Sequence, residues 1–435
     1  MNADASTSAY WSAPTAAGPV VASVEVPGSK SITNRAFILA AIGSAPAVIH
    51  HPLIARDTSL MLSALTTMGV GIDVVDGGSA VRIEPRPLIG PAEVDCGLAG
   101  TLMRFLPPVA TLATGSITFH GDTQASARPL TETVTSLRAL GAEIDDAGRA
   151  TLPFTVHGAG RLPGGDVTLD AARSSQFVSG LLLSGARFDQ GVVVHHRGGE
   201  LPSLPHISMT LALLGQAGVH VSEAIDSATH ATWTVQPGAV DLVDVTVEPD
   251  LSNATVFLAA AMVTGGSVTI ARWPTETIQP GEQILAVLAA MGAQIDRTAT
   301  GLTLTGPDQL AGIAVDLRQI GEVTPTIAAM ATLAHSPTVL RGVGHLRGHE
   351  TDRLAALVTE INRLGGDASE TEDGLVINPR PLRGTRVQTY HDHRMATFAA
   401  IVGLVVPGVE VENIATTGKT LPDFTSRWTD VVAPT

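Results

Sequence analysis

The 435-residue sequence predicts an α/β fold of two similar lobes, each built from three copies of one small unit. Two recurring phrases, and the strand-like segments between them, predict it. The first phrase is an apolar helix end, a glycine and a short β-like stretch: TTMGVGIDV, LRALGAEID, GQAGVHVS, LAAMGAQID and INRLGGDAS. Its glycines, Gly69, Gly141, Gly218, Gly292 and Gly365, are spaced 72, 77, 74 and 73 residues apart. The second phrase is an Ala/Leu-rich helix running into a small polar turn: RAFILAAIGS, LPPVATLATGS, FVSGLLLSGA, FLAAAMVTGG, IAAMATLAHS and FAAIVGLVVPG. Its markers, Gly43, Gly115, Gly185, Gly265, Ser336 and Gly408, are spaced 72, 70, 80, 71 and 72, and one sixth of 435 is 72.5.

A period this long exceeds that of common solenoids and suits a unit of about four strands and two helices. VTIARW, LTLTG and GLVIN are examples of the strand-like segments. The sixth copy ends early, and the strand-like VVASVEVPG near the N-terminus is expected to complete it, bringing the termini together. Three units per lobe, with a crossover near Asp241–Asp250, divide the chain into 27–244 and 1–26 plus 245–435. Residues 1–17, rich in Ala, Ser and Thr, are expected to be disordered. They lack the basic and hydrophobic regions of a signal peptide. The longest apolar run, Phe398 to Val406, is half of the ~18 residues a membrane helix needs. A cytoplasmic protein is expected.

Composition narrows the function. Apolar residues make up 44%, enough for a sizeable core. Aromatics are 3%, so Ala, Val, Leu and Ile must build it. A net charge of −15 argues against nucleic-acid binding, which requires a basic footprint. A single cysteine, Cys96, excludes an intrachain disulfide and a Cys-rich metal site, and a buried, inert thiol is expected. Of 26 basic residues only two are lysines, Lys30 and Lys419. Where arginine serves every ordinary need for charge, a retained lysine points to a need for a compact, titratable ammonium.

The unusual polar residues gather at one place in each repeat, at helix starts: PGSKSITNR (27–35), CGLAGTLMR (96–104), RSSQF (173–177), PDLSNAT (249–255), IGEVTPT (320–326) and YHDHRMA (390–396). Ser, Thr, Asp and Asn there read as N-caps, and Pro325 suits a first helical position. Several helix N-termini aimed at one cleft would make an anion site even in an acidic protein. Other signatures fail. Gly-Ser-Lys-Ser lacks the glycine spacing of a P-loop, and His345/His349 lacks the His-Glu-x-x-His order of a zinc helix. There is no Gly-x-Ser-x-Gly elbow and no Gly-x-Gly-x-x-Gly turn. No metal and no organic cofactor are expected.

PGSKSITNRAFILAA, LAGTLMR, GDTQASARPL, SSQFVSGLLL, GHETDRLAAL, YHDHRMA and TTGKTLPDF, running from residue 27 to 424, together resemble the 5-enolpyruvylshikimate-3-phosphate (EPSP) synthase family. The resemblance implies an inside-out α/β barrel fold, enolpyruvyl transferase-like, of two lobes with three βαβαββ repeats each and ligands between them. It implies transfer of the enolpyruvyl group of phosphoenolpyruvate to the 5-hydroxyl of shikimate 3-phosphate, the sixth step of the shikimate pathway. By resemblance, Lys30, Ser31, Arg35, Ser174, Ser175, Gln176, Ser203, Glu322 and His349 hold shikimate 3-phosphate. Lys30, Gly100, Arg128, Gln176, Arg353, Arg394 and Lys419 hold phosphoenolpyruvate. Glu322 is the candidate base on the 5-hydroxyl and Glu350 the candidate proton carrier at the methylene carbon. Lys30 and Lys419 are expected to stabilise charge on the leaving phosphate. Arg104 is expected to be structural and Arg197 a weaker phosphate neighbour.

Three positions depart from the family's common pattern. Glu322 stands where Asp is usual, Leu98 where Asn is usual, and His349 where Lys is usual. Leu98 and Gly100 both bear on glyphosate, which occupies the phosphoenolpyruvate site in this family. The site residues divide between the halves of the chain, so lobe closure on binding is expected, visible as compaction by scattering. A monomer is expected. The UDP-N-acetylglucosamine enolpyruvyl transferases share the fold and chemistry but fit the SKSxTNR and HETDR motifs less well. A non-catalytic anion-binding repeat protein is the alternative from another class, yet all four acid–base and lysine positions are filled.

Overall fold

The computed structural model describes residues 10–433. They form two compact units, Pro27–Glu248 and the remainder, made of the residues up to Val26 and from Pro249 onward.

In the Pro27–Glu248 unit, three four-stranded sheets share one plan. The first strand runs parallel to the second, and the fourth lies antiparallel between the second and the third. Ala92–Asp95, Thr114–His120, Glu143–Asp145 and Phe154–Ala159 form one sheet. Gly165–Leu169, Val192–Arg197, Val221–Ser227 and His230–Val235 form another. In the third, Ala47–His50, Gly71–Val75 and Ala80–Glu84 take their parallel first strand, Asp244–Thr246, from the far end of the segment. One helix precedes each second strand: Lys30–Ala41, Gly100–Ala110 and Gln176–Gly185. These three pack against one another. Each is buried almost all round, the polar Thr33, Asn34 and Arg35 of the first helix included. The second helices, such as Arg56–Thr67, bury only one face and stop at the glycines of the first phrase. All five of those glycines have φ between +75° and +110°, a region closed to L side chains. That is why the period is legible as glycine.

The other unit repeats the plan. Val21–Val24, Ser267–Ala271, Gln294–Thr298 and Gly301–Thr305 form one sheet. Ala314–Asp316, Thr338–Arg341, Asp367–Glu370 and Leu375–Asn378 form the second. Arg386–Val387, Glu410–Glu412 and Tyr10–Ser12 form a shorter third. Its buried helices Leu251–Thr264, Thr324–Thr332 and His393–Gly403 pack together in turn.

Three expectations are corrected. Val21–Val24 does not complete the sixth copy but pairs in parallel with Ser267–Ile270 of the fourth. A strand that leads directly into a helix occupies the first position of this plan, and the sixth sheet needs a fourth strand. Tyr10–Ser12 supplies that strand, antiparallel to Glu410–Glu412, with Trp11 edge-on to Phe424 at 6.3 Å. Residues 10–17, expected to be disordered, therefore begin with a paired strand. Residues 1–9 of that stretch lie outside the described residues. The second crossing falls after Glu248 rather than after residue 244, because Asp244–Thr246 registers with Val48–His50. Among the described residues, no helix is long and apolar enough to cross a membrane.

Candidate active site

In the Pro27–Glu248 unit most of the predicted residues lie at the starts of the buried helices, where N–H groups lack helical partners and the dipole is positive, while Arg128 follows the short helix Thr123–Ser126 and Ser203 precedes Leu204–Gln216. Lys30 opens its helix directly after the N-cap Ser29, whose hydroxyl accepts from the Ile32 N–H at 3.4 Å. The Lys30 ammonium lies 3.3 Å from the carboxylate of Asp57, whose side chain is 2% exposed. Asp57 sits on the neighbouring helix Arg56–Thr67 and was not foreseen from sequence. Ser31 follows Lys30, and its carbonyl accepts from Arg35 at 3.0 Å. Arg35 is buried, with its guanidinium at 5.0 Å over the Phe105 ring. It also donates to Thr210 Oγ1 (2.8 Å), the His206 carbonyl (3.0 Å) and Ser179 Oγ (3.3 Å). Arg35 thus ties its own helix to Gln176–Gly185 and Leu204–Gln216.

A second cluster surrounds Gly100, the first residue of its helix. A β-carbon there would lie 2.8 Å from Arg104 Nη1, 3.2 Å from Arg128 Nη2 and 3.3 Å from Gln176 Oε1. Arg104 donates to Gln176 Oε1 (3.3 Å) and to the Gly100 carbonyl (3.2 Å) and stacks over Phe177. It therefore belongs to this cluster rather than to the scaffold alone. Arg128 donates to the Leu98 carbonyl at 3.4 Å, so the departure from Asn at 98 leaves a backbone contact in place. The Gln176 N–H donates to Ser174 Oγ at 3.3 Å, and Ser175 is buried beside it. Ser203, directly before Leu204–Gln216, has φ +52°, strain of the kind found at binding loops. Arg197 turns back onto its own sheet, donating to the carbonyls of His196 (2.7 Å) and Ala231 (3.1 Å).

The other unit holds a denser ionic network. Arg353, 2% exposed, opens the helix Arg353–Arg363. It grips the fully buried Asp392 through Nε (2.7 Å) and Nη2 (3.2 Å). The same Nη2 donates to Glu350 Oε2 at 3.0 Å, and Nη1 donates to His349 Nδ1 at 3.1 Å. Lys419 Nζ donates to the other oxygen of Glu350. Glu350 is thus held between a lysine and an arginine. Glu322 lies in the turn Arg318–Val323, with its carboxylate 3.7 Å from Arg394 Nη2. Arg394 in turn donates to the Ser252 carbonyl at 3.2 Å. His345 packs against Gly321, where a β-carbon would lie 2.7 Å from its Nε2, and stands edge-on to His349 at 5.8 Å. Burial, together with the nearby Arg353 charge and despite Glu322, pushes the His345 imidazole down to about 4.

From sequence alone, Asp392 reads only as a helix cap. It does cap, accepting from the Arg394 N–H at 2.8 Å, and it also anchors Arg353. Cys96 is fully buried, and burial with the neighbouring Asp95 raises its thiol far above the usual range. Among the described residues, no three His, Cys, Asp or Glu side chains gather as a metal site would require.

The sequence profile of EPSP synthase (3-phosphoshikimate 1-carboxyvinyltransferase) matches residues 14–428. A 3-phosphoshikimate 1-carboxyvinyltransferase of Kocuria rhizophila is 51% identical over 432 residues, covering 97% of this chain and 96% of that one. An EPSP synthase structure from Acinetobacter baumannii superposes with a TM-score of 0.80 at 24% identity, over 97% of this chain and 98% of its own. The enolpyruvyl transferase NikO of Streptomyces tendae superposes at 0.73 with 17% identity, over 96% of both chains. The two structures establish an enolpyruvyl transferase-like α/β fold. The profile and the Kocuria relative establish more: this chain belongs to the EPSP synthase family.

Proposed function

We propose that the protein transfers the enolpyruvyl group of phosphoenolpyruvate to the 5-hydroxyl of shikimate 3-phosphate, releasing phosphate, with the residues named above in these roles. The observation that best supports the reading, beyond family membership, is the Glu350 carboxylate held between Lys419 and Arg353. A carboxylate hydrogen-bonded to an ammonium is a route for a proton to and from carbon. Glu322 takes the proton of the 5-hydroxyl as its oxygen attacks C2 of phosphoenolpyruvate, the carbon that bears the phosphate ester. Glu350, fed through Lys419, delivers a proton to the methylene, giving a tetrahedral adduct that bears a methyl group. The adduct then loses a methyl proton back to Glu350 and expels phosphate, which carries off the proton taken from the 5-hydroxyl, and the double bond is restored.

The two substrates carry two phosphates and two carboxylates, and charge-assisted hydrogen bonds suit both groups. Lys30, Ser31, Arg35, Ser174, Ser175, Gln176, Ser203, Glu322 and His349 hold shikimate 3-phosphate, Arg35 chiefly by fixing the helix starts. Arg353 Nη1 lies 3.1 Å from Nδ1 of His349, which stands where the family's common pattern has lysine. Lys30, Gly100, Arg128, Gln176, Arg353, Arg394 and Lys419 hold phosphoenolpyruvate, and Arg104 joins them through Gln176. Each unit contributes part of the set, Lys30 to Ser203 from one and Glu322 to Lys419 from the other. The same reading carries a cytoplasmic monomer, which sedimentation of the purified protein tests. Phosphate release from phosphoenolpyruvate should depend strictly on shikimate 3-phosphate. Release at the same rate without it, or with another acceptor alone, would remove this assignment.

A further inference from the structure

The segment 388–392 carries an arrangement that the chemistry above does not use. Tyr390 and His391, two successive non-glycine residues, have φ +55° and +59°, a conformation unfavourable for L residues. They lead straight into Asp392, whose carboxylate holds both Nε and Nη2 of Arg353. Tyr390 of this pair is held from the side by Glu360, a carboxylate with no exposed surface. Its Oε1 accepts from the Tyr390 hydroxyl at 2.7 Å and its Oε2 from the Gln388 N–H at 3.1 Å. Arg363 lies 3.1 Å from the same Oε2 and offsets the buried charge. The Thr389 N–H donates to Glu412 Oε2 at 3.2 Å.

Glu360 and Arg353 stand on one helix, seven residues apart. Seven residues are two turns, so the two side chains leave the same face about 10 Å apart. That face therefore grips the 388–392 segment at two points, with the strained residues between them. We propose that Glu360 and Tyr390 are positioning residues for the reaction. Their contact keeps the 390–391 turn left-handed and so sets Asp392 against Arg353, and through Arg353 the carboxylate of Glu350. The inference rests on the reading of Arg353 as a phosphoenolpyruvate ligand.

The test compares Tyr390→Phe, Glu360→Leu, and Tyr390→Phe combined with His391→Gly, all assayed well below their melting temperatures. Tyr390→Phe removes one oxygen and keeps the ring, so it provides a folded variant even if Glu360→Leu does not fold. Tyr390→Phe is expected to lower kcat/KM for phosphoenolpyruvate about tenfold, to shift the acid limb of the pH–rate profile, and to leave binding of shikimate 3-phosphate alone unchanged. Glycine at 391 adopts positive φ without strain, so the double variant is expected to recover most of the loss. A merely structural contact would lower the melting temperature and move neither the pH profile nor the rescue. Wild-type kcat/KM and pH profile in Tyr390→Phe would overturn the proposal. Arg353→Ala serves as the reference. If it leaves the KM for phosphoenolpyruvate unchanged, the reading beneath the proposal fails. If it raises that KM while Tyr390→Phe does nothing, only the proposal fails.

Discussion

Replacing Gly100 with alanine tests the phosphoenolpyruvate cluster with a single carbon. The φ of Gly100 is not positive, so alanine suits the backbone, and exchanging glycine for alanine in a helix favours folding by about 0.4–1 kcal/mol. The added carbon meets Arg104 Nη1 at 2.8 Å, Arg128 Nη2 at 3.2 Å and Gln176 Oε1 at 3.3 Å, where ordinary contact begins at 3.4 Å. The nearest nitrogen must therefore retreat by about 0.6 Å, well beyond what its existing contacts to Gln176 Oε1 and the Gly100 carbonyl can absorb. All three atoms belong to flexible side chains, so the fold accommodates the change while the cluster does not. Loss of one hydrogen bond to a charged group costs about 1.5–3 kcal/mol, or roughly a 10- to 150-fold weaker interaction. The KM for phosphoenolpyruvate, measured by phosphate release at saturating shikimate 3-phosphate, should rise within that range. The KM for shikimate 3-phosphate and the melting temperature should hardly move. A variant with wild-type KM for phosphoenolpyruvate would refute the placement of the ligand against Gly100. A loss of several kcal/mol in stability would refute the claim that only flexible side chains give way.

Two further outcomes follow from the same geometry. Lys30→Arg keeps the charge but replaces a compact ammonium, 3.3 Å from the buried Asp57, with a planar fork that does not fit the same place. Its kcat should fall by about 100-fold or more with a melting temperature near that of the parent, and substantial retained turnover would undercut the special role of the lysines. His345 is held near pKa 4, below the usual 6.5, so between those values the unfolded chain binds a proton that the folded chain does not. Stability due to this group is complete above pH 6.5 and is lost as pH falls toward 4, by about 3 kcal/mol at most. His345→Gln should flatten denaturant-derived stability across pH 4–7, and parallel curves for variant and parent would disprove the linkage.

Part of this molecule was legible because backbone geometry leaves a chemical mark. The glycines at 69, 141, 218, 292 and 365 occupy positive φ, so the repeat could be counted directly. The capping residues at 29, 250 and 392 likewise announce helix starts, and each accepts from an N–H of its own first turn. What stayed hidden is nonlocal. Asp57 meets Lys30 across 27 residues, Asp392 meets Arg353 across 39, and Arg104 meets Gln176 across 72, and no local pattern marks such partners. Strand pairing is hidden for the same reason. Val21–Val24 and Tyr10–Ser12 are both short and β-like, and which sheet each joins depends on what the chain does after it.

The crossings at Val26 and Glu248 also impose an order on synthesis. Val21–Val24 is made early, but its partner Ser267–Ala271 follows more than 240 residues later. At roughly 5–20 residues per second, the strand waits on the order of 10 to 50 s on the ribosome. The whole Pro27–Glu248 unit emerges in that interval as one uninterrupted segment, able to fold while the strand behind it is still unmatched. During that wait, Val21–Val24 is an open β-edge on a nascent chain, a template for wrong pairing. Its brevity, four residues between Pro19 and Pro27, limits that risk.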